Sequence, residues 1–128
     1  ALSYVSAPLA TNTTVVGAGA VYLWVKSSTP DVDLQAMITE VRPDGNETFV
    51  QSGWIRGSER KLSTDANNIL KRRGSELEPI PKFTAADASP MPAGHFVPVA
   101  VPLYYQGHAY RAGSRIRVTI SAPNGTPV

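Results

Sequence analysis

The stretch from Arg115 to Ser121 alternates apolar and polar side chains along its whole length. Its apolar positions, Ile116, Val118 and Ile120, are all β-branched, and the residues between them are polar or charged. A period of two with β-branched residues on the apolar face is typical of a half-buried antiparallel strand. The stretch from Val21 to Lys26 alternates in the same way, with aliphatic residues on one face and aromatic residues on the other. A chain made of such segments must fold into sheets that each bury one face.

Turn-forming residues separate these apolar segments, and the chain holds 10 Gly and 11 Pro. The strongest turn signal is Pro43–Gly45, because proline presets φ and glycine accepts the left-handed conformation. It predicts an antiparallel hairpin that joins Leu34–Arg42 to Thr48–Ile55. Short strand-like segments with turns between them and no sustained helical period indicate an all-β sandwich. At 128 residues the chain fits a single domain, 1–128.

The segment from Gly57 to Pro92 interrupts this rhythm. Within it, Asp65–Gly74 begins with an N-cap residue and ends with three cations and a glycine, which predicts a short helix in the long loop. The apolar stretch that follows, His95–Leu103, contains Pro98 and Pro102. Because proline cannot donate to a ladder, these two residues predict a strand at a sheet edge.

The sequence argues against an enzyme. The absence of cysteine excludes disulfides and a cysteine nucleophile, although it leaves the cellular compartment open. A serine hydrolase needs a Gly-x-Ser-x-Gly elbow, and the sequences around Ser58 and Ser114 lack the second glycine. The two histidines, His95 and His108, lie in strand or turn segments and are interpreted as structural. We therefore predict that this chain alone is not an enzyme.

Metal and cofactor sites are not expected either. Two isolated histidines without cysteine make a poor zinc site. Asp31 and Asp33 could offer oxygen ligands to calcium, but the favoured interpretation is that Asp31 caps a turn after Pro30. Trp54, at a strand end beside Arg56, is the best candidate for stacking on a sugar.

Nucleic-acid and membrane partners are also not expected. The cations of the long loop, Lys61 and Lys71–Arg73, share it with several acids, so no stripe of one sign forms. No apolar run approaches the roughly 20 residues that cross a bilayer.

Five segments carry a family resemblance. They are Leu2–Leu9, Pro30–Leu34, Val41–Gly45, Ser52–Arg56 and Ala109–Pro123. In this order and spacing they resemble the C-terminal, non-catalytic domain of X-prolyl dipeptidyl peptidases and cocaine-esterase-like (CocE/NonD) serine hydrolases, from about Leu2 to Ala122. The resemblance implies a jelly-roll sandwich of the galactose-binding-like kind. It also implies that the catalytic triad sits in an upstream α/β-hydrolase domain.

The function implied by the resemblance is that of an accessory domain, which packs on the catalytic domain of the same chain and helps to shape its substrate pocket. The alternative is a carbohydrate-binding jelly-roll module. We expect Tyr4, Trp54, Arg56 and Arg60 to meet the catalytic domain. Tyr4 lies in the first strand, next to the point where the catalytic portion would end, and an arginine beside a large aromatic is what interface cores enrich.

This sequence departs from the family in two places. Relatives usually have histidine at the position of Ser114, and they continue past Ala122 into another strand or two. We therefore expect a fragment of a larger hydrolase from which the final strand or strands are missing. An open sheet edge is then expected, and open edges favour pairing with another copy.

Overall fold

The structure is a computed structural model that describes residues 1–122. These residues form six strands and two short 3-10 helices, Gly57–Glu59 and Ala85–Asp87. The strands are β1 (Leu2–Val5), β2 (Thr13–Val25), β3 (Asp33–Val41), β4 (Glu47–Arg56), β5 (Val97–Tyr110) and β6 (Arg115–Ser121). In the described part no helix is long and apolar enough to cross a membrane.

The strands form two antiparallel sheets. One has four strands in the order β1-β6-β3-β4, and the other pairs β2 with β5. The two sheets pack face to face, which confirms the predicted all-β sandwich. β5 has one ladder partner among the described strands, as Pro98 and Pro102 predict for an edge strand.

Alternate side chains of both sheets build one core between them. The four-stranded sheet contributes Leu34, Ala36, Ile55 and Ile120, and the two-stranded sheet contributes Val25, Val99 and Val101. Every one of these side chains is at most 5% exposed, so the period-two pattern correctly predicts which face is buried. Burying each valine, leucine or isoleucine side chain of this set stabilises the fold by about 1.5–3 kcal/mol.

The β3–β4 hairpin confirms the strongest turn prediction. The Gly45 N–H donates to the Arg42 carbonyl at 2.8 Å, and Gly45 has a φ of 90°. The Arg42 N–H then donates to the Asn46 carbonyl at 2.8 Å. The positive φ explains why glycine occupies the last position of this turn.

The predicted helix at 65–74 does not form, and that prediction was wrong. Polar side chains take the backbone groups that a helix would pair. The Asp65 carboxylate accepts the Asn67 N–H, and the Asn68 amide donates to the carbonyls of Asp65 and Arg72. Asn68 Oδ1 also accepts the Leu70 N–H. Asn and Asp compete with helix formation in this way, and here they fix an irregular loop instead.

The two sides of the sandwich differ. On one side β4 and β5 approach so closely that a Cβ on Gly53 would overlap the carbonyl oxygen of Pro102. On the other side β1 forms the edge of its sheet with no strand facing it, among the described residues. We call the first the closed side and the second the open side.

Candidate functional site

A buried carboxylate joins the two sheets at one end of the sandwich. Glu40, on β3, is 0% exposed. His108 Nε2 lies 2.8 Å from its Oε1, while the Ser114 hydroxyl and the Arg111 N–H donate to its Oε2 at 2.7 and 3.0 Å. Burial by itself would raise the Glu40 pKa, but these hydrogen bonds outweigh it and lower the pKa to about 2. The Glu40 carboxylate is therefore charged, and its hydrogen bonds connect β3 to β5 and to the turn before β6.

This cluster contains a serine, a histidine and a carboxylate, but it is not arranged for nucleophilic catalysis. A nucleophilic serine must give its proton to the histidine, whereas Ser114 donates to Glu40. Ser114 is also 0% exposed, so no substrate reaches its hydroxyl. The cluster holds the fold together.

This cluster was not predicted from the sequence, although the sequence contains one signal for it. Glu40 has the same strand parity as Leu34, Ala36 and Ile38, so it belongs to the inward face of β3. A charged residue at an inward position needs buried partners. The partners come from residues about 70 positions later, and the sequence pattern does not identify them.

The favoured interpretation was that Asp31 caps a turn after Pro30, but its carboxylate instead bonds mainly to Ser58 in the first 3-10 helix. Its Oδ1 accepts the N–H groups of Val32 and Ser58, both at 2.9 Å, and its Oδ2 accepts the Ser58 hydroxyl at 2.7 Å. Burial opposes the charge of Asp31, but the hydrogen bonds prevail and lower its pKa. Asp33 pairs instead with Arg56 at 2.9 Å. Within residues 1–122 no three His, Cys, Asp or Glu side chains gather as metal ligands would.

An apolar groove surrounds Trp54. A groove of about 340 Å³ runs between the β4–β5 junction and the long loop. We call it the Trp54 groove, and its apolar walls are Trp54, Ile69, Leu70, Pro79, Ile80, Pro81, Phe83, Pro102, Leu103 and Tyr104. Arg72, Glu78 and Tyr105 complete the lining, with Arg72 bonded to the Glu78 carboxylate at 2.6 and 2.8 Å.

A second apolar depression lies on the open side, between β1 and β2. Its lining includes Leu2, Tyr4, Trp24, Lys26 and Phe96, and its volume is about 370 Å³. We call it the open-side cleft. Tyr4 and Trp24 are 59% and 71% exposed, and the Lys26 ammonium lies 5.1 Å from the centre of the Phe96 ring. Large exposed apolar surfaces of this kind mark places where another chain segment or domain binds.

The structure does not gather the four predicted interface residues on one surface. Tyr4 lies on β1 in the open-side cleft, whereas Trp54 and Arg56 lie on β4, at the opposite edge of the same sheet. Arg60 follows the first 3-10 helix, where its guanidinium donates to the carbonyls of Gly57 and Ser89 at 2.9 and 2.7 Å. That these four residues meet a catalytic domain stays a prediction.

A family model gives the clearest comparison. The model of the X-Pro dipeptidyl-peptidase C-terminal non-catalytic domain matches residues 1–126. The chain belongs to this family. The resemblance found in the sequence is thereby confirmed, and so is the prediction that the chain is a non-catalytic domain of a kind found in proteins named as hydrolases.

Individual relatives agree with this assignment. A Mycobacterium bovis protein with "serine esterase" in its name is 26% identical over 125 residues, which are 98% of this chain and 19% of that protein. A CocE/NonD family hydrolase from Staphylococcus aureus has the same fold over 94% of this chain and 22% of its own, with a TM-score of 0.81 and 24% identity. An α-amino acid ester hydrolase aligns with a TM-score of 0.68 and 21% identity over 94% of this chain and 18% of its own. The chain thus spans about a fifth of the length of these proteins.

Proposed function

We propose that this PepX C-terminal domain packs on the α/β-hydrolase domain of its parent chain through the Trp54 groove, and so helps to shape the substrate pocket. The observation that carries the proposal is the groove itself. It is an apolar depression, lined by several large side chains, on a domain of a non-catalytic family.

Exposure of the groove residues supports this proposal. Trp54, Phe83 and Tyr104 are 45%, 53% and 67% exposed. Aromatic side chains that cluster on a surface and line a depression are the usual anchors of protein interfaces. The free domain leaves them in water, where they contribute little to its stability.

Backbone strain at the same place also supports a function. Among the described residues, Lys71 and Phe83 are the non-glycine residues with positive φ, at 54° and 56°. Phe83 lines the groove, and Lys71 lies between the lining residues Leu70 and Arg72. A bulky residue held in the left-handed region costs about 1–2 kcal/mol, and such strain concentrates at binding sites.

The catalytic domain is the occupant that fits best. About four fifths of the length of the named relatives lies outside the matched region, so in those proteins a large partner is covalently attached to this kind of domain. Arg56 follows Trp54 on the same face of β4 and could extend the contact with charge. Tyr4 and Arg60 lie away from the groove, so a contact between them and the catalytic domain is a separate part of this proposal.

Amide hydrogen exchange on the full-length parent and on this domain tests the proposal. We expect the segments around Trp54 and at 69–83 to exchange at least tenfold more slowly in the parent. Trp54→Ala in the parent should raise KM and abolish that difference, while Phe49→Ala, an exposed aromatic on the hairpin, should do neither. Equal exchange in both proteins would show that the groove does not bind the catalytic domain.

The alternative, a carbohydrate-binding module, relies on the same groove. Trp54 and Tyr104 lie beside polar groups on Arg72, Glu78 and Tyr105, as in a sugar site. A sugar titration followed by Trp fluorescence in the isolated domain separates the two functions. A saturable change that Trp54→Ala removes would favour the sugar.

A further inference from the structure

We propose that Phe83 is the anchor of the Trp54 groove, which inserts into an apolar recess of the catalytic domain, and that Asp87 positions it. The inference rests on the function proposed above for the groove. It adds which side chain enters the partner, what holds that side chain in place and what kind of surface receives it.

Phe83 has a backbone conformation that phenylalanine rarely adopts. Its φ is 56°, in the left-handed region, and the residue is 53% exposed. A bulky residue in this region is strained, and the strain persists only where the surrounding structure imposes it. Because about half of Phe83 stays in water, burial in the free domain repays little of this strain. A return on binding a partner explains the conformation better.

The chain is fixed on both sides of Phe83. Before it, the Lys82 N–H donates to the Lys61 carbonyl at 3.0 Å. After it, Thr84 begins the second 3-10 helix, and its carbonyl accepts the Asp87 N–H at 3.0 Å. Phe83 therefore lies between two residues that are each held by a backbone hydrogen bond.

The Asp87 carboxylate joins these two sides. Its Oδ2 accepts the Thr84 hydroxyl, and its Oδ1 lies 3.3 Å from the Lys61 Nζ and 3.6 Å from the Lys82 Nζ. The Thr84 hydrogen bond and the two lysines lower the pKa of Asp87, so the carboxylate is charged at neutral pH. Asp87 thus contacts both chain neighbours of Phe83. This placement makes it a positioning residue for the strained conformation.

A side chain in this setting suits an interface anchor. Phe83 lines the Trp54 groove together with Trp54 and Tyr104, which are also exposed. A side chain that is held in place before binding loses less conformational entropy on binding. Aromatic anchors fill desolvated apolar pockets on the partner. We therefore expect an apolar recess for one aromatic ring on the face of the catalytic domain that meets the groove.

The charges beside Phe83 add a property of that recess. Lys61 and Lys82 bring two ammonium groups to the single carboxylate of Asp87, so one positive charge is left unbalanced in this trio. The Lys61 side chain is 59% exposed and can reach a partner. Because surfaces of opposite sign fit together at interfaces, the rim of the recess should carry an acidic residue.

Two substitutions at Phe83 separate docking from folding. Both Phe83→Ala and Phe83→Gly remove the ring, but glycine adopts a φ of 56° without strain. In the isolated domain, Phe83→Gly should therefore be at least as stable to urea as Phe83→Ala. In the full-length parent, both should raise amide exchange around Trp54 and at 69–82 to the rate of the isolated domain, a change of at least about tenfold. A glycine variant less stable than the alanine variant would show that Phe83 is not strained, which overturns the inference.

Asp87→Asn tests the positioning role while Phe83 is retained. In the parent it should speed exchange in the same segments by about three- to tenfold. It should add nothing in the Phe83→Ala background, because Asp87 acts through Phe83. Asp87→Glu keeps the charge and should retain most of the slow exchange. Additive effects of Asp87→Asn and Phe83→Ala would overturn the positioning role.

Asp44→Asn is the matched control for this substitution. The Asp44 carboxylate accepts the Asn46 N–H at 2.9 Å in the hairpin turn and does not line the groove. The same change of carboxylate to amide should therefore leave exchange around Trp54 unaltered. An equal effect of Asp44→Asn and Asp87→Asn would show that the response is not specific to Asp87, and would also overturn the positioning role.

The outcomes distinguish this inference from the function on which it rests. Slow exchange around Trp54 in the parent that survives Phe83→Ala would leave the groove as the docking surface and overturn Phe83 as its anchor. Equal exchange in the unsubstituted parent and the isolated domain would overturn both.

Discussion

The closed and open sides of this sandwich are built from the same kinds of strand, but the two sheets are in close contact on the closed side only. On the closed side, Gly53 lets β4 approach the backbone of β5 around Pro102, and the Gln51 amide donates to the Tyr104 carbonyl at 2.8 Å. On the open side, β1 has four residues, all exposed, and within the described part of the chain the inner side chains Leu2 and Tyr4 face no strand. The difference teaches that close backbone packing stabilises the closed side more than the open side. The open side retains surface for a partner.

The largest expected effect is at the closed side. Gly53→Ala places a Cβ on the Pro102 carbonyl, and backbone on both sides leaves it no room to move. We expect a loss of about 3 kcal/mol or more in the free energy of unfolding, measured by urea denaturation. Gly107→Ala is the control, since its Cβ would meet Val16 at an ordinary 3.8 Å. Similar midpoints for the two variants would show that the strands are less close than described.

The next largest effect is expected at Glu40. Its hydrogen bonds connect the two sheets, and none of its partners lies on the open side. Its pKa is about 2 in the folded protein and 4.5 ordinarily, so it stabilises the fold fully above about pH 4.5. That contribution is lost as pH falls toward 2. The difference corresponds to roughly 3 kcal/mol. Glu40→Gln should therefore destabilise the domain by about this amount at pH 7 and by much less near pH 2.

Glu47→Gln is the matched control for this prediction. The Glu47 carboxylate accepts a hydrogen bond from the Arg117 guanidinium at 2.7 Å, but both side chains are 35% exposed. A pair of this kind contributes about 0–1 kcal/mol. Two results would contradict the prediction: an equal loss of stability in the two glutamine variants, or a loss in Glu40→Gln that is as large in acid as at pH 7. Either would show that the hydrogen bonds of the charged Glu40 carboxylate do not stabilise the fold as described.

The smallest effect is expected at the open side. Trp24→Ser removes a large ring, but the ring is 71% exposed in the free domain. The free energy of unfolding of the isolated domain should change by less than about 0.5 kcal/mol. A large loss in the isolated domain would erase the contrast between the two sides.

The local features of the fold could be predicted from the sequence. Alternation at Val21–Lys26 and Arg115–Ser121 correctly assigned the buried faces, and Pro43–Gly45 correctly placed the hairpin. These features depend on neighbouring residues and on the steric rules of single residues, which the sequence contains. The prediction of a helix at 65–74 was wrong for a local reason too. The side chains of Asp65 and Asn68 form hydrogen bonds with backbone groups that would pair with each other in a helix.

The sequence by itself therefore determined the all-β class, the buried face of each alternating strand, the main turn and the family. Only the tertiary structure decided which residues meet across the sandwich. It separated Tyr4 from Trp54 and joined Glu40 to His108 and Ser114, and among residues 1–122 it left one edge of β2 unpaired. The physical reason is that a period of two fixes which way a side chain points. Pairing between strands far apart in the chain depends on the packing of the whole sandwich.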